Sequence, residues 1–313
     1  MDEEQKYNSP LVYQRADPWC YKHTDGYYYF TGSIPQYDGI ELRRSKTLDG
    51  LLTANSHVVW KRHFDGPQSG YIWAPEIHFI NGAWYIYYTA SGRDDIWAIR
   101  PYVMICRDEN PIIGKWEELG RIDVGYESFS LDMTSFIHKG KQYVSWAQTI
   151  DKEVGSCIFI ASMKDPQTLD SKPVMLTKPE YDWEMQGFKV NEGPAVLIRN
   201  GKVILTYSAS DTGYSYCMGM LWADENSDLL NSASWHKSDK PVFKTSEKNS
   251  QYGPGHNSFT TDGDKDVLIY HSRNYKEISG DPLHDPNRHA RAKAFTYDKN
   301  GLPIFGEPDP DNF

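Results

Sequence analysis

One turn-and-strand segment decides the fold: Asn81-Gly82-Ala83-Trp84-Tyr85-Ile86-Tyr87. An Asn-Gly pair tolerates the positive φ that a two-residue hairpin turn requires, and the aromatic and β-branched residues after it favour an extended strand. Related segments occupy four other places in the chain: 24–30, 139–146, 200–207 and 262–270. Each segment therefore predicts a hairpin turn that leads into a strand, and Lys139-Gly140 is the weakest of the five turns.

The five turns follow one another at nearly regular intervals. Their glycines stand at positions 26, 82, 140, 201 and 263, which are 56, 58, 61 and 62 residues apart. A repeat of this length can hold a four-stranded antiparallel sheet with its loops, and five such sheets around an axis bury their faces against each other. The spacing thus predicts an all-β fold, a five-bladed β-propeller, in preference to a long β-sandwich with unrelated hairpins.

The predicted propeller takes up the whole sequence. Amphipathic helical patterns are nearly absent and no Pro/Gly-rich linker interrupts the chain, so we expect a single catalytic domain over residues 1–313. The expected blades span roughly residues 10–65, 66–125, 126–185, 186–248 and 249–305. The last stretch, 290–313, is expected to supply a final strand and a polar tail that close the ring.

Composition limits the class of partner. The chain has 22 Tyr and 10 Trp, which favour strands and supply flat rings that either stack on sugars or fill a β core. A formal net charge of -10 argues against nucleic acid as a partner. No apolar run reaches the roughly 18 residues of a membrane-spanning helix. We therefore expect a neutral or cationic ligand, and neither nucleic acid nor a membrane.

The N-terminus and the cysteines bear on the compartment. The start, Met1-Asp2-Glu3-Glu4-Gln5-Lys6, lacks the basic end and the apolar stretch of a signal peptide. The four cysteines lie far apart, without a CxxC pair or zinc-like spacing to histidine, and they indicate buried free thiols: Cys20, Cys106, Cys157 and Cys217. These features predict a cytoplasmic protein, or a secreted one if a leader has been removed.

Chemistry-bearing residues precede each of the five turns. The strand before such a turn lies beside the axis of a propeller, so residues at matching places in different blades are expected to converge. Four acids and one histidine stand six to nine residues before the turn glycines: Asp17, Glu76, Asp132, Glu192 and His256. Acids disfavour strand interiors, and burying several of them together is costly unless function compensates. The pattern therefore predicts an axial functional site.

Paired carboxylates indicate one kind of chemistry. An inverting glycosidase needs a protonated and an ionised carboxyl group about 6.5 to 9.5 Å apart, and a third carboxylate can raise the pKa of the acid. As a set, Asp17, Asp132 and Glu192 are therefore the candidate catalytic residues. Glu76 is better explained as a structural contact, and His256 could be a core histidine, a metal ligand or a substrate contact.

The acid-bearing segments resemble those of the family 43 glycoside hydrolases, and the resemblance spans nearly the whole chain. Five segments carry it: Arg15-Ala16-Asp17-Pro18, Trp73-Ala74-Pro75-Glu76, Ser130-Leu131-Asp132, Asn191-Glu192-Gly193-Pro194 and Gly253-Pro254-Gly255-His256-Asn257. Members of that family are inverting enzymes with a five-bladed propeller, most of them α-L-arabinofuranosidases, β-xylosidases and arabinanases.

The resemblance implies a role for each residue of the site. Asp17 matches the general base, Glu192 the general acid, and Asp132 the residue that tunes and orients the acid. No cofactor is required for this chemistry, but the resemblance implies a calcium or sodium ion on the axis, with His256 as a ligand directly or through water. It also implies a late arginine on the sugar, best matched by Arg291.

A terminal pentose is expected to enter an axial pocket walled by the rings of Trp73, Trp19 and Phe30. The opening Arg15-Ala16-Asp17-Pro18-Trp19 and the segment 285–289 resemble single-domain α-L-arabinofuranosidases. We therefore expect an exo-acting enzyme of that type, acting on arabinose-containing plant polysaccharides or oligosaccharides. The alternatives are a β-xylosidase of the same family, a noncatalytic glycan-binding propeller, and a protein-interaction propeller, for which the sequence carries no WD-type signature.

Overall fold

A computed structural model describes residues 7–312, so both ends of the predicted 1–313 domain lie outside the described residues. Five antiparallel sheets follow one another along this part of the chain. The first sheet contains β1 (Ala16–Lys22), β2 (Tyr28–Ser33), β3 (Gly39–Ser45) and β4 (His57–Lys61). The second sheet contains β5 (Ile72–Ile80), β6 (Ala83–Ala90), β7 (Arg100–Cys106) and β8 (Trp116–Arg121).

The remaining sheets repeat this plan. The third contains β9 (Ser130–His138), β10 (Lys141–Thr149), β11 (Ser156–Asp165), β12 (Thr168–Leu169) and β13 (Val174–Thr177). The fourth contains β14 (Asn191–Arg199), β15 (Lys202–Ala209), β16 (Cys217–Asp224) and β17 (His236–Lys237). The fifth contains β18 (Tyr252–Asp262), β19 (Lys265–Arg273) and β20 (His289–Ala294), followed by a ribbon of β21 (Thr296–Tyr297) and β22 (Pro303–Ile304). Short 3₁₀ helices cover Asp49–Leu51, Asp182–Glu184, Ser232–Ser234 and Pro282–His284.

The five sheets are the blades of a propeller, which confirms the predicted fold class. The first strands of successive blades contact each other in a closed ring, from β1 through β5, β9, β14 and β18 back to β1. Apolar clusters fill the space between neighbouring blades; Tyr29 and Ile40 of the first blade, for example, pack with Trp84 and Ile86 of the second. These five innermost strands therefore surround the axis, where the candidate site is expected.

The predicted hairpin turns connect the first and second strand of every blade. All five turn glycines adopt positive φ, at positions 26, 82, 140, 201 and 263. The residues before three of these glycines, Asn81, Lys139 and Asn200, also have positive φ, as a type I′ turn requires. Even the Lys139-Gly140 pair, the weakest signal in the sequence, thus forms a hairpin.

Every innermost strand contains a β-bulge at the same place. In each blade the pairing of the first with the second strand skips one residue, as between Ala16 and Trp19 in β1 and between Glu192 and Ala195 in β14. The residue at the bulge has positive φ in all five blades: Asp17, Ala74, Asp132, Gly193 and His256. A bulge bends the strand and re-aims its side chains, so these five positions turn away from regular strand geometry together.

Both ends of the described chain attach to the fifth blade. Val12 and Ala290 exchange backbone hydrogen bonds, and the amide of Ser9 donates to the Asn312 side chain. The buried guanidinium of Arg291 forms an ion pair with Asp311 at 2.7 Å. The N-terminal and C-terminal segments therefore close the ring together. Within residues 7–312, none of the helices has the length and apolar character needed to cross a bilayer.

Candidate active site

The bulge amides are held by hydrogen bonds between blades. A bulge interrupts the ladder, so its N–H group needs another acceptor. In four blades the acceptor is a side chain on the second strand of the preceding blade. These bonds run from Asp17 to His271 Nδ1 at 3.1 Å, from Ala74 to Ser33 Oγ at 2.8 Å, from Asp132 to Thr89 Oγ1 at 3.2 Å and from His256 to Ser208 Oγ at 2.7 Å.

The bulge of the fourth blade departs from this pattern. The third blade has Ala147 where the others have Ser33, Thr89, Ser208 and His271, as the strand registers show. A methyl group cannot accept a hydrogen bond, and the Gly193 amide donates instead to Asp132 Oδ2 at 3.0 Å. The carboxylate of Asp132 is thereby tied to the residue next to Glu192.

Three of the five bulge residues, Asp17, Asp132 and His256, line a cavity of about 490 Å³. Asp17, Asp132 and Glu192 all line it, although they lie far apart in the sequence. Its other lining residues include Trp73, His256 and Arg288, while the exposed rings of Trp97 and Phe188 lie at its mouth. A cavity of this size, with aromatic and apolar walls and a few convergent polar groups, is the usual form of a small-ligand site.

Asp17 has a partner for each carboxylate oxygen. Ser33 donates its hydroxyl to Oδ2, and the same hydroxyl accepts the Ala74 amide. The other oxygen, Oδ1, lies 3.2 Å from His256 Nδ1 and 3.6 Å from Arg288 Nη1. A carboxylate with a cation and several donors around it is held in one orientation, which suits a general base.

Asp132 is buried between Asp17 and Glu192. Its Oδ2 accepts the Gly193 amide and lies 4.0 Å from His256 Nδ1. Burial raises the pKa of Asp132 well above its ordinary value, and repulsion from Glu192 and Asp17 raises it further. Because Asp132 and Glu192 repel each other when both are ionised, loss of the proton from one of them makes its loss from the other harder.

Glu192 has the properties of a general acid. Burial, and secondarily the negative charge of Asp17, raise its pKa to about 7, although a hydrogen bond from Tyr216 and the charge of Arg288 oppose the shift. Its Oε1 accepts the Tyr216 hydroxyl at 2.8 Å. A carboxyl group that is still protonated near neutral pH can donate its proton to a leaving oxygen.

The arginine beside the carboxylates is Arg288 and not Arg291, which was selected from the sequence. Its Nη1 lies 3.6 Å from Asp17 Oδ1, and its Nη2 donates to the Tyr37 hydroxyl at 2.7 Å. The selected residue, Arg291, is fully buried and binds Asp311 and the carbonyls of Ser272 and His289, outside the cavity. Because side chains on an extended chain alternate in direction, residues three apart point to opposite sides.

Two of the three aromatic residues expected to wall the pocket lie elsewhere. Trp73 lines the cavity, but Phe30 is 1% exposed and packs between the fifth and first blades. Trp19 lies between the first and second blades, where its indole N–H donates to the Ile77 carbonyl at 2.8 Å. Trp19 follows the bulge on β1, Phe30 lies on β2 opposite Cys20, and both rings pack between blades. Three aromatic residues that the sequence did not indicate line the cavity: Trp97, Phe129 and Phe188.

Glu76 does not line the cavity. It is buried two residues after the bulge of its strand, where its Oε2 lies 3.0 Å from His78 Nε2. Burial raises the pKa of Glu76 well above its ordinary value and lowers the pKa of His78 to about 3, so a neutral hydrogen-bonded pair is favoured. Glu76 is thus a structural contact between buried side chains.

Among residues 7–312, one group of side chains is close enough together to hold a metal ion: Asp132, Glu192 and His256. Their ligand atoms lie within 4.8 Å of one another. Calcium takes about six to eight oxygen ligands, and hard cations prefer oxygen to imidazole nitrogen. Two carboxylates and one imidazole do not make such a shell, and Asp132 Oδ2 is already used by an amide. These three side chains alone therefore do not fit a calcium or sodium ion held by the protein. The ion on the axis that the resemblance implies, with His256 as a ligand directly or through water, stays a prediction.

Fold and site together define the class of this chain: a five-bladed β-propeller with three convergent carboxyl groups in an axial cavity. The sequence profile of glycosyl hydrolases family 43 matches residues 7–303. The chain belongs to this family, as the resemblance of its acid-bearing segments predicted.

Three relatives are particularly similar. An "Extracellular exo-alpha-(1->5)-L-arabinofuranosidase" of Streptomyces avermitilis is 52% identical over 97% of this chain and 64% of the relative. A protein of the same name from Streptomyces chartreusis is 50% identical over 88% of this chain and 85% of the relative. The crystal structure of an alpha-L-arabinofuranosidase from Lactobacillus brevis superposes with a TM-score of 0.95 at 51% identity, covering 98% of both chains. The chain thus spans less than two thirds of the S. avermitilis relative.

The expected cytoplasmic location is contradicted by these relatives. Both Streptomyces proteins are named as extracellular. The cysteines were a poor guide, because all four are free and buried. A thiol shielded from solvent is protected from oxidants in either compartment, so its reduced state does not report where the protein resides.

Proposed function

We propose that the chain is an inverting, exo-acting α-L-arabinofuranosidase that releases terminal arabinose from oligosaccharides or polysaccharide side chains. The observation that carries the proposal is the convergence of Asp17, Asp132 and Glu192 on one cavity of about 490 Å³. The printed names of the relatives in Streptomyces and Lactobacillus brevis support the choice of sugar. The volume suits a single sugar ring with part of its leaving group.

In the proposed mechanism, two carboxyl groups act on opposite faces of the sugar. Glu192, with a pKa near 7, protonates the glycosidic oxygen as the bond to the anomeric carbon breaks. Asp17, held by Ser33, His256 and Arg288, takes a proton from the water that attacks the anomeric carbon from the other side. One displacement inverts the configuration; Asp17 then returns the proton it gained to solvent, and Glu192 takes up a proton from solvent to replace the one it donated.

The remaining cavity residues are proposed to bind the sugar. Trp73 offers a ring to the bound pentose, and Trp97 and Phe188, which are 54% and 68% exposed, offer rings to the leaving group at the mouth. His256 and Arg288 are the polar groups within reach of both the sugar and Asp17. His256 therefore serves as a substrate contact in this proposal.

Replacement of Glu192 by Gln tests the reaction. An amide cannot donate the proton, so release of arabinose from α-1,5-linked arabinobiose should fall by about 10³-fold, while a dinitrophenyl arabinoside, whose leaving group needs no proton, should lose far less. The first product of the wild-type enzyme, followed by NMR, should have the inverted anomeric configuration. Retained configuration, or near wild-type turnover of arabinobiose by Glu192→Gln, would refute the proposal.

Two alternatives are separated by a second set of substrates. A β-xylosidase would hydrolyse the nitrophenyl β-xyloside faster than the nitrophenyl α-L-arabinofuranoside. A noncatalytic glycan-binding propeller would bind arabino-oligosaccharides in calorimetry but release no sugar at any enzyme concentration. A raised pKa on a carboxyl group in the cavity is a feature of a catalyst rather than of a binding module, and it favours the enzyme.

A further inference from the structure

Tyr216 contacts Glu192 but has no part in the proposed mechanism. It lies in the loop before β16, is 1% exposed, and donates its hydroxyl to Glu192 Oε1 at 2.8 Å. Its ring stacks on His271, with centroids 5.5 Å apart and planes 8° from parallel. His271 in turn accepts the amide of Asp17. One buried ring therefore connects the surroundings of the proposed acid with those of the proposed base.

The hydrogen bond has a definite direction. Among residues 7–312, Glu192 Oε1 is the hydrogen-bond partner found for the Tyr216 hydroxyl. Burial and the nearby carboxylates raise the pKa of Tyr216 well above its ordinary value, so the hydroxyl keeps its proton over any working pH. A carboxylic acid carries a single proton, and its carbonyl oxygen is a stronger acceptor than its hydroxyl oxygen, so a hydrogen bond from tyrosine to one oxygen favours the proton on the other. For Glu192 this other oxygen is Oε2.

We propose that Tyr216 is a positioning residue: by occupying Oε1, it fixes the proton of Glu192 on Oε2 and holds the carboxyl group in the orientation that delivers this proton to the leaving oxygen. The inference rests on the proposed function and deepens it. During the reaction the Oε2–H bond breaks, a new O–H bond forms on the leaving group, and Tyr216 keeps its own proton while its hydrogen bond to the new carboxylate strengthens.

Gly255, in the segment Gly253-Pro254-Gly255-His256, makes room for this tyrosine. A Cβ on Gly255 would lie 2.5 Å from Tyr216 Cε1, and one on Gly253 would lie 2.3 Å from the Gly213 carbonyl oxygen. Gly255 has no positive φ, so its requirement for glycine is one of space and not of backbone conformation. The spatial role of Gly255 is thus to admit the ring that holds Glu192.

The variant Tyr216→Phe keeps the ring and removes the hydroxyl. We expect kcat on arabinobiose to fall about tenfold, in line with one hydrogen bond to an ionisable group, while kcat on the dinitrophenyl arabinoside changes less than twofold. KM should stay the same for both substrates, because the proposed role concerns proton delivery.

A second buried pair in the same blade provides the matched control. Tyr207 on β15 donates its hydroxyl to Glu184 Oε1 at the same distance, 2.8 Å, and Glu184 is also buried but does not line the cavity. Tyr207→Phe should lower the denaturation midpoint without any change in the leaving-group dependence. If Tyr216→Phe behaves like this control, or slows both substrates equally, Tyr216 is only structural and the proposal is overturned.

A measurement without substrate separates this inference from the proposed function. The carbonyl stretch of protonated Glu192 is obtained from the infrared difference between the wild type and Glu192→Gln. It should move to higher frequency in Tyr216→Phe, because the carbonyl oxygen loses its donor. An unchanged frequency would overturn the inference even in an active enzyme. If the frequency shifts but the wild type cleaves no pentoside, the proposed function fails and the positioning by Tyr216 stands.

Discussion

As the proposed acid, Glu192 is expected to make the activity sensitive to pH near neutrality. Its pKa is raised to about 7 by burial and by Asp17, so the proton is present below this pH and is lost above it. Since an acid catalyst must be protonated, we expect kcat/KM for arabinobiose to fall about tenfold per unit as the pH rises beyond about 7. A pH profile measured from 4 to 9 checks this. A profile that stays flat up to pH 9 would contradict Glu192 as the acid.

Arg288 and Arg291 allow a direct comparison of a cavity residue with a structural one. Arg288→Gln removes the cation 3.6 Å from Asp17, and we expect kcat/KM to fall by about 10- to 100-fold, as for the loss of a contact to a charged group. Arg291→Gln should leave the kinetics of the folded protein unchanged and lower its unfolding free energy. Steady-state kinetics and urea denaturation of both variants provide the measurement. The reverse pattern would mean that Arg291 is the substrate contact after all.

At the scale of the element, the bulge of the innermost strand explains why Asp17 and Asp132 reach the cavity and Glu76 does not. Counting residues back from the turn glycine places Glu76 and Glu192 in one set, because turn spacing is visible in the sequence. The bulge shows that Ala74 is the residue equivalent to Asp17 and Asp132. A bulge follows from the fit between neighbouring blades, and no residue type marks it, since Asp, Ala, Gly and His all occupy it.

Because the side chain of Ala147 has no hydrogen-bond acceptor, the Gly193 amide of the fourth blade donates to Asp132 of the third blade. Ala147→Ser would supply the hydroxyl that Ser33 and Ser208 provide elsewhere, and this hydroxyl would compete with Asp132 Oδ2 for the Gly193 amide. Asp132 would then lose its hydrogen bond from the Gly193 amide. We expect kcat to fall by about three- to tenfold, the equivalent of one hydrogen bond.

The matched control is Ala161→Ser, because Ala161 is a buried alanine of the same blade on β11, away from the cavity. Its kinetics should equal those of the wild type, although burial of its hydroxyl should cost some stability. Steady-state kinetics of both variants on arabinobiose are compared. If kcat of Ala147→Ser is equal to that of the wild type, the Asp132–Gly193 hydrogen bond has no part in catalysis.

At the scale of the whole molecule, closure of the ring depends on the C-terminal tail. Asp311 pairs with the fully buried Arg291 and also accepts from Gln251, so Asp311→Ala leaves a buried cation without its partner. We expect a loss of about 3 kcal/mol in unfolding free energy, at the lower end for a broken buried pair because the Asp311 side chain is 23% exposed. Urea denaturation measures this loss.

The neighbouring pair of Lys293 and Asp309 serves as the comparison. Asp309 is 41% exposed, so Asp309→Ala should cost under about 1 kcal/mol, as exposed ion pairs usually do. Equal losses for the two variants would show that the tail does not close the ring through Arg291. The kinetics of both folded variants should equal those of the wild type, because neither acid lines the cavity.

The sequence by itself determined the number of blades, the positions of the turns and the three acids that meet at the axis. These features depend on local chemistry, since Asn-Gly and Asp-Gly turns and β-forming residues act over a few neighbours and their period is visible in the chain. The catalytic roles of Asp17, Asp132 and Glu192 stay predictions until the variants are measured.

Only the tertiary structure decided the rest of the site. It placed Arg288 rather than Arg291 beside Asp17, buried Trp19 and Phe30 between blades, and brought Tyr216 to Glu192. The physical reason is that these contacts join different blades or a strand and a loop. Their geometry is set by bulges and by packing between sheets, which no spacing within one blade encodes.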